Sequence, residues 1–274
     1  MTGRLDKAMT YTILVLFSVI ALVPMALIIL EAMHPAGELQ SGFSFPSSIN
    51  FDTFRQAWNV GHFGDYLLSS LIVAVSVVAG ATVLSVLSGY ALGAMDTPFR
   101  DAIFYIFLIG LVVPFEAMIV PLYYNFRDLG LTETYWALIL PQLGLSLSFG
   151  TFWMRAFFLS APTELMEAAR LDGASSLTVL WRVLVPLAKP AITTMMVLLF
   201  LFTWNDFLLA LVMVDSSDSH RTAPLGLSNF QGRYSTDIPS LAAGAVIVAL
   251  PVVIVYLFLQ RQFIRGMLSG ALKG

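Results

Sequence analysis

Long apolar runs separated by short polar breaks set the pattern of this chain. Six runs are long enough to cross a hydrocarbon layer as helix, over about 10–31, 66–95, 102–124, 134–158, 188–213 and 241–260. They are continuous and rich in Leu, Val, Ala and Phe, with none of the alternation of a membrane β-barrel, so helices are predicted. The fold class expected is an all-α integral membrane protein with six transmembrane helices. Residues 1–65 read as an N-terminal anchor helix with a polar segment after it, and 66–274 as a core. That core carries a polar loop at about 159–187 and a tail at 261–274. The first run, Tyr11 to Leu30, exceeds a signal-peptide core and leads into Glu31 and His34-Pro35 rather than small cleavage-site residues, so it is read as retained.

Charge gives the spans a direction. With both ends inside, the inner segments hold Arg4, Lys7, Arg100, Arg155, Arg170, Arg182, Lys189, Arg261, Arg265 and Lys273, and the outer ones only Arg55, Arg127, Arg221 and Arg233. That asymmetry predicts both termini in the cytoplasm. Two outer segments are long. Residues 32–65 mix Pro, Gly, Ser and Asn with Phe43, Phe45, Phe54 and Trp58; residues 214–240 hold Asp215-Ser216-Ser217-Asp218-Ser219-His220 and Phe230-Gln231-Gly232-Arg233-Tyr234. Each reads either as plain connection or as a small lid or docking surface.

Composition narrows the chemistry. Hydrophobic residues at 58% against 11% charged exclude an ordinary soluble domain. The absence of cysteine removes disulfides, thiol catalysis and thiolate metal sites. No Gly-x-x-x-x-Gly-Lys-Ser/Thr loop is present to hold nucleotide phosphates. His34, His62 and His220 lack metal-ligand spacing, and no Ser/His/Asp arrangement stands out, so neither a metal site nor an enzyme activity is predicted.

The fourth and fifth spans are joined by a short polar helix. Pro162 suits its start, Glu164 and Glu167 place acid in its first turns, and Gly173 suits a left-handed end. Leu165, Ala168, Ala169 and Asp172 share a narrow face open to close approach, and Ser175 or Ser176 can cap a second helix leading through Pro186 and Pro190. Glu167-Ala168-Ala169, three residues, Gly173, nine residues, then Val183-Leu184-Val185-Pro186 resembles the cytoplasmic signature of binding-protein-dependent ABC importer permeases. Thr203-Trp204-Asn205-Asp206, Pro114-Phe115-Glu116 with Ile119-Val120-Pro121-Leu122-Tyr123, and Arg261 to Gly274 look like the smaller permease of the maltose-type carbohydrate group.

That resemblance implies a transport subunit for sugar import, working by alternating access in a bacterial-type cytoplasmic (inner) membrane. It implies a second homologous permease, two cytoplasmic ATPases that bind ATP and Mg, an extracytoplasmic sugar-binding protein and surrounding lipid, with no nucleic acid. Glu164, Glu167, Ala168, Ala169, Asp172, Gly173 and Ala174 would couple to the ATPase, with Ser269, Gly270 and Lys273 of the tail reaching towards it.

Two acids within spans draw attention, since such groups are costly in a bilayer. Glu116 lies between Pro114 and Pro121, where a broken helix frees carbonyls, and Asp206 falls inside the fifth run. They line a polar path with Tyr123, Trp204 and Asn205, or they bond neighbouring helices. An ion-coupled transporter using Glu116 and Asp206 is the alternative function. Ser69-Ser70, Ser85, Ser88 and Gly89 read as close packing or as path lining.

Overall fold

Backbone amides buried in hydrocarbon must be satisfied by their own segment, and the apolar runs accordingly form helices. A computed structural model describes residues 4–37, 45–46, 50–214, 216, 219–232 and 235–271. The chain divides into two compact units, one formed by 1–65 with 226–250 and the other by 66–225 with 251–274.

In the first unit α1 (Arg4–Glu31) leaves nearly all its apolar surface uncovered by its own chain. The polar segment after it is not plain loop, because α2 (Asp52–Val60) forms within it and buries Thr53 and Ala57. Thr53 Oγ1 donates to the His34 carbonyl at 2.6 Å, and Phe63 stacks on Phe230 with ring centroids 6.2 Å apart. Gly37 at φ +77° donates its N–H to Asp237 Oδ1 at 3.0 Å. The predicted loop positions Phe43, Asp215, Ser217, Asp218, Arg233 and Tyr234 lie outside the described residues.

The second unit is built on α3 (Phe63–Ala94), α4 (Arg100–Val112), α5 (Phe115–Asp128) and α6 (Tyr135–Leu159). It continues through the short α7 (Thr163–Leu171) into α8 (Ser176–Trp204), α9 (Leu208–Met213) and the later part of α10 (Ile238–Ala271). Small residues let α3 and α6 approach closely: a Cβ on Gly89 would meet Met154 Cβ at 2.6 Å, and Ser88 Oγ lies 2.7 Å from Thr151 Oγ1. The serine stripe therefore serves packing. Its other end holds a loop, with Ser70 Oγ accepting the Ala223 N–H at 2.8 Å and Ser69 Oγ lying 3.1 Å from the Tyr135 hydroxyl.

Among the described residues, five helices are long and apolar enough to cross a membrane, and α4 with α5, bent by 94° at their break, makes a sixth if the pair is one span. The run at 102–124, expected as one span, breaks at Val113-Pro114 because Pro114 has no N–H to continue the ladder of α4. The fifth run departs further. Its helix begins twelve residues before the expected start at 188, at Ser176, and passes through a π-turn at Leu180–Leu184 just ahead of Pro186. It stops at Trp204 rather than running to 213. Asp206 thus sits in a break between α8 and α9, not in the middle of a helix. Side chains there compete with the backbone: Asn205 Nδ2 donates to the Leu201 carbonyl at 2.8 Å, and the Asp206 carboxylate accepts the N–H groups of Leu209 and Ala210.

Candidate functional site

Two places gather polar residues that the apolar bundle does not require. The first is α7. Pro162, extended at ψ 121°, immediately precedes the helix instead of occupying its first turn. The far end is closed by a Schellman motif: Gly173 at φ +82° donates its N–H to Arg170 O at 3.0 Å, and Ala174 N–H reaches Ala169 O at 2.9 Å. Ser175 Oγ then accepts the Thr178 N–H at 3.3 Å and caps α8. The polar helix is rigidly joined to a long membrane helix with only four residues between.

Met166 roots α7 by burying in a cluster with Phe158, Val179, Leu180 and Leu184. The face expected to receive a partner is divided by this arrangement. Ala169 and Ala174 turn partly onto the bundle, while Glu164, Leu165, Glu167, Ala168, Asp172 and Gly173 are exposed. Leu171, absent from the sequence-based site, is 90% exposed, and Leu177 is 61% exposed. These apolar side chains stand exposed beside the two glutamates. At the other predicted contact, Ser269 and Gly270 fall in the last turns of α10, and Lys273 lies outside the described residues.

The second place is a pocket of about 400 Å³ at the α4–α5 bend, bounded by α6 and the end of α8. It brings Glu116 and Asp206, far apart in sequence, to one wall system together with Gln142, Ser146 and Thr203. Gln142 Nε2 donates to Asp206 Oδ2 at 3.3 Å. Gln142 Oε1 and Thr203 Oγ1 are buried without a hydrogen-bond partner. Phe115, Phe149 and Phe202 supply apolar faces. The lining thus joins carboxylate, amide and hydroxyl groups to aromatic surface.

Three predicted path residues are not part of this lining. Trp204 is buried with its ring centroid 5.3 Å from Phe200. Tyr123 packs edge-on to Tyr124 at 5.7 Å and against the cluster around Leu138 and Leu209. Asn205 is spent on the α8 carbonyl already described. Gln142, Ser146 and Thr203 escape a sequence reading; their one signal is a polar side chain inside an otherwise apolar run. Among the described residues no three acidic or histidine side chains converge as a metal site requires.

Residues 85–269 match the family described as "Binding-protein-dependent transport system inner membrane component". The trehalose transport system permease protein SugB of Mycobacterium tuberculosis is 32% identical over 256 residues, covering 93% of each chain. The diacetylchitobiose uptake system permease protein NgcG of Streptomyces coelicolor is 32% identical over 275 residues, covering 99% of this chain and 91% of the relative. A solved bacterial ABC transporter involved in import of the acidic polysaccharide alginate shares the fold, with a TM-score of 0.77 and 24% identity over 96% of this chain and 99% of that one.

Proposed function

The chain belongs to the binding-protein-dependent transport system inner membrane component family, and from that premise we propose that it is the smaller permease subunit of an ATP-driven sugar importer. The chain's multiple apolar helices and its sugar-permease relatives support a multi-pass transport subunit rather than an enzyme. ATP and Mg bind the partner ATPases, which supply the hydrolysis.

The observation that carries the reading is the exposed Glu164–Glu167–Leu171 face of α7, fused through Gly173 and the Ser175 cap to α8. A cytoplasmic ATPase gripping that face moves α8, and α8 ends in the wall of the polar pocket at Thr203. ATP-driven closure of the ATPases is thereby transmitted to the pocket, which turns outward, receives sugar from an extracytoplasmic binding protein, and returns inward after hydrolysis. The second permease completes the path. Glu116, Asp206 and Gln142 bond sugar hydroxyls there while the phenylalanines meet the ring faces.

Purification of the tagged chain in mild detergent tests this first. An ATPase and a second permease are expected to copurify, and in the reassembled importer Glu167→Lys and Gly173→Trp are expected to abolish uptake while ATP hydrolysis continues. Normal uptake by both variants would remove the coupling role from α7.

A further inference from the structure

We propose that the pocket at the α4–α5 bend selects saccharides that are neutral or carry an amine, and turns away uronic acids. This rests on the substrate-path reading above and adds to it the charge class of the solute. Glu116 and Asp206 both line the pocket, and among the described residues no Lys, Arg or His does. The other polar side chains of the lining, Gln142, Ser146 and Thr203, are uncharged. Gln142 is 8% exposed and Thr203 7%, and the orphan atoms facing no partner are Gln142 Oε1 and Thr203 Oγ1.

The orientation of the Gln142 amide has a physical cause. Its Nε2 donates to the Asp206 carboxylate, and a carboxylate accepts from N–H but not from C=O, so Oε1 is the atom left over. A solute bearing hydroxyl or ammonium hydrogens finds acceptors in the Glu116 and Asp206 carboxylates of the lining. A uronate brings a third carboxylate beside Glu116 and Asp206, and no cationic side chain of the described lining offsets the repulsion between like charges. The first turn of α5 also presents free N–H groups, but Glu116 stands within that turn and supplies the anion they favour. Phe115, Phe149 and Phe202 accept the carbon face of any pyranose and do not discriminate by charge.

The chain has no cysteine, so one introduced thiol is unique in it. Ser146→Cys and Phe202→Cys, each in the complete importer in lipid nanodiscs, place reporters in the pocket wall. Labelling of this chain by a small uncharged maleimide is followed by mass, with and without ATP, in the presence of cellobiose, diglucosamine or digalacturonate. Cellobiose and diglucosamine are expected to slow labelling several-fold and digalacturonate to leave it unchanged. Adding Glu116→Gln with Asp206→Asn is expected to let digalacturonate protect as well as cellobiose. Equal protection by digalacturonate without those changes would overturn the charge selection while leaving the pocket as the path. Labelling that no saccharide slows, or failure of both thiols to react, would overturn the path reading and the selection with it.

Discussion

Gln142 Nε2 and Asp206 Oδ2 lie 3.3 Å apart and tie α6 to the break that follows α8. The same carboxylate accepts N–H groups from Leu209 and Ala210, so it also caps α9. Asp206→Ala removes both roles and is expected to cost about 1 kcal/mol or more, as loss of a helix cap does. Asp206→Asn keeps an acceptor for the cap and should fall between. Thermal inactivation in detergent gives the order directly; an alanine variant as stable as the parent would mean the cap carries no weight.

Gly150 faces Ser85 so closely that a Cβ on the glycine would overlap Ser85 Oγ, with Met195 Sδ 3.2 Å away. Gly150→Ala is therefore expected to push α3 from α6 and to destabilise the chain by about 1–3 kcal/mol. Ser85→Gly removes the obstructing hydroxyl and its carbon, and should recover part of that loss in the double variant. A double-mutant cycle on unfolding midpoints measures the coupling, and additive losses would show that the contact is not what limits the approach.

The apolar runs and the polar helix were legible because each depends on local pattern: length and hydropathy for the spans, acid, glycine and serine at set spacing for α7. Pro114 signalled the break at the α4–α5 bend, and the basic residues gave an expected orientation. Neither the 94° bend nor the pocket within it was readable, since the pocket arises where four helices, some distant in sequence, meet. Trp204 and Tyr123 suit sugar stacking by their chemistry, yet their rings pack inside the chain. Gln142 and Thr203 look like incidental polar positions in apolar runs, and only their buried, unpartnered oxygens set them apart. Hydropathy also carried the fifth span past its true end, because it does not register Asn205 and Asp206 competing for backbone groups.

A side-chain carbon placed on Gly173 would have nothing within 4 Å of it, so crowding is not what demands glycine there. The demand comes from the backbone, which holds φ at +82°. Gly173→Val should strain the turn by roughly 1–2 kcal/mol or unwind the end of α7, whereas Gly173→Asn, better suited to a left-handed residue, should be milder. Uptake by the reassembled importer is expected to rank glycine first, asparagine second and valine last. Equal uptake by asparagine and valine variants would mean that backbone handedness is not limiting.

Leu171 is 90% exposed at the end of an amphipathic helix, just before Asp172 and one turn after Glu167. Within this chain it supports nothing, so Leu171→Ser should leave the unfolding midpoint where it is, as exposed substitutions usually do. Its effect belongs to the contact with the ATPase. Partial burial of this leucine against the ATPase would contribute by removing apolar surface from water, and its loss is expected to weaken ATPase capture about tenfold, or about 1.4 kcal/mol. Glu167→Gln keeps the shape of the face and removes only a charge, so it should reduce capture less at high salt than at low salt. Leu171→Ser should lose the same factor at both. Titration of the purified ATPase onto immobilised permease complex, at two salt concentrations, separates the apolar anchor from the charge beside it. If Leu171→Ser binds the ATPase as well as the parent does, the exposed leucine lies outside the contact and the grip on α7 must rest on its glutamates alone.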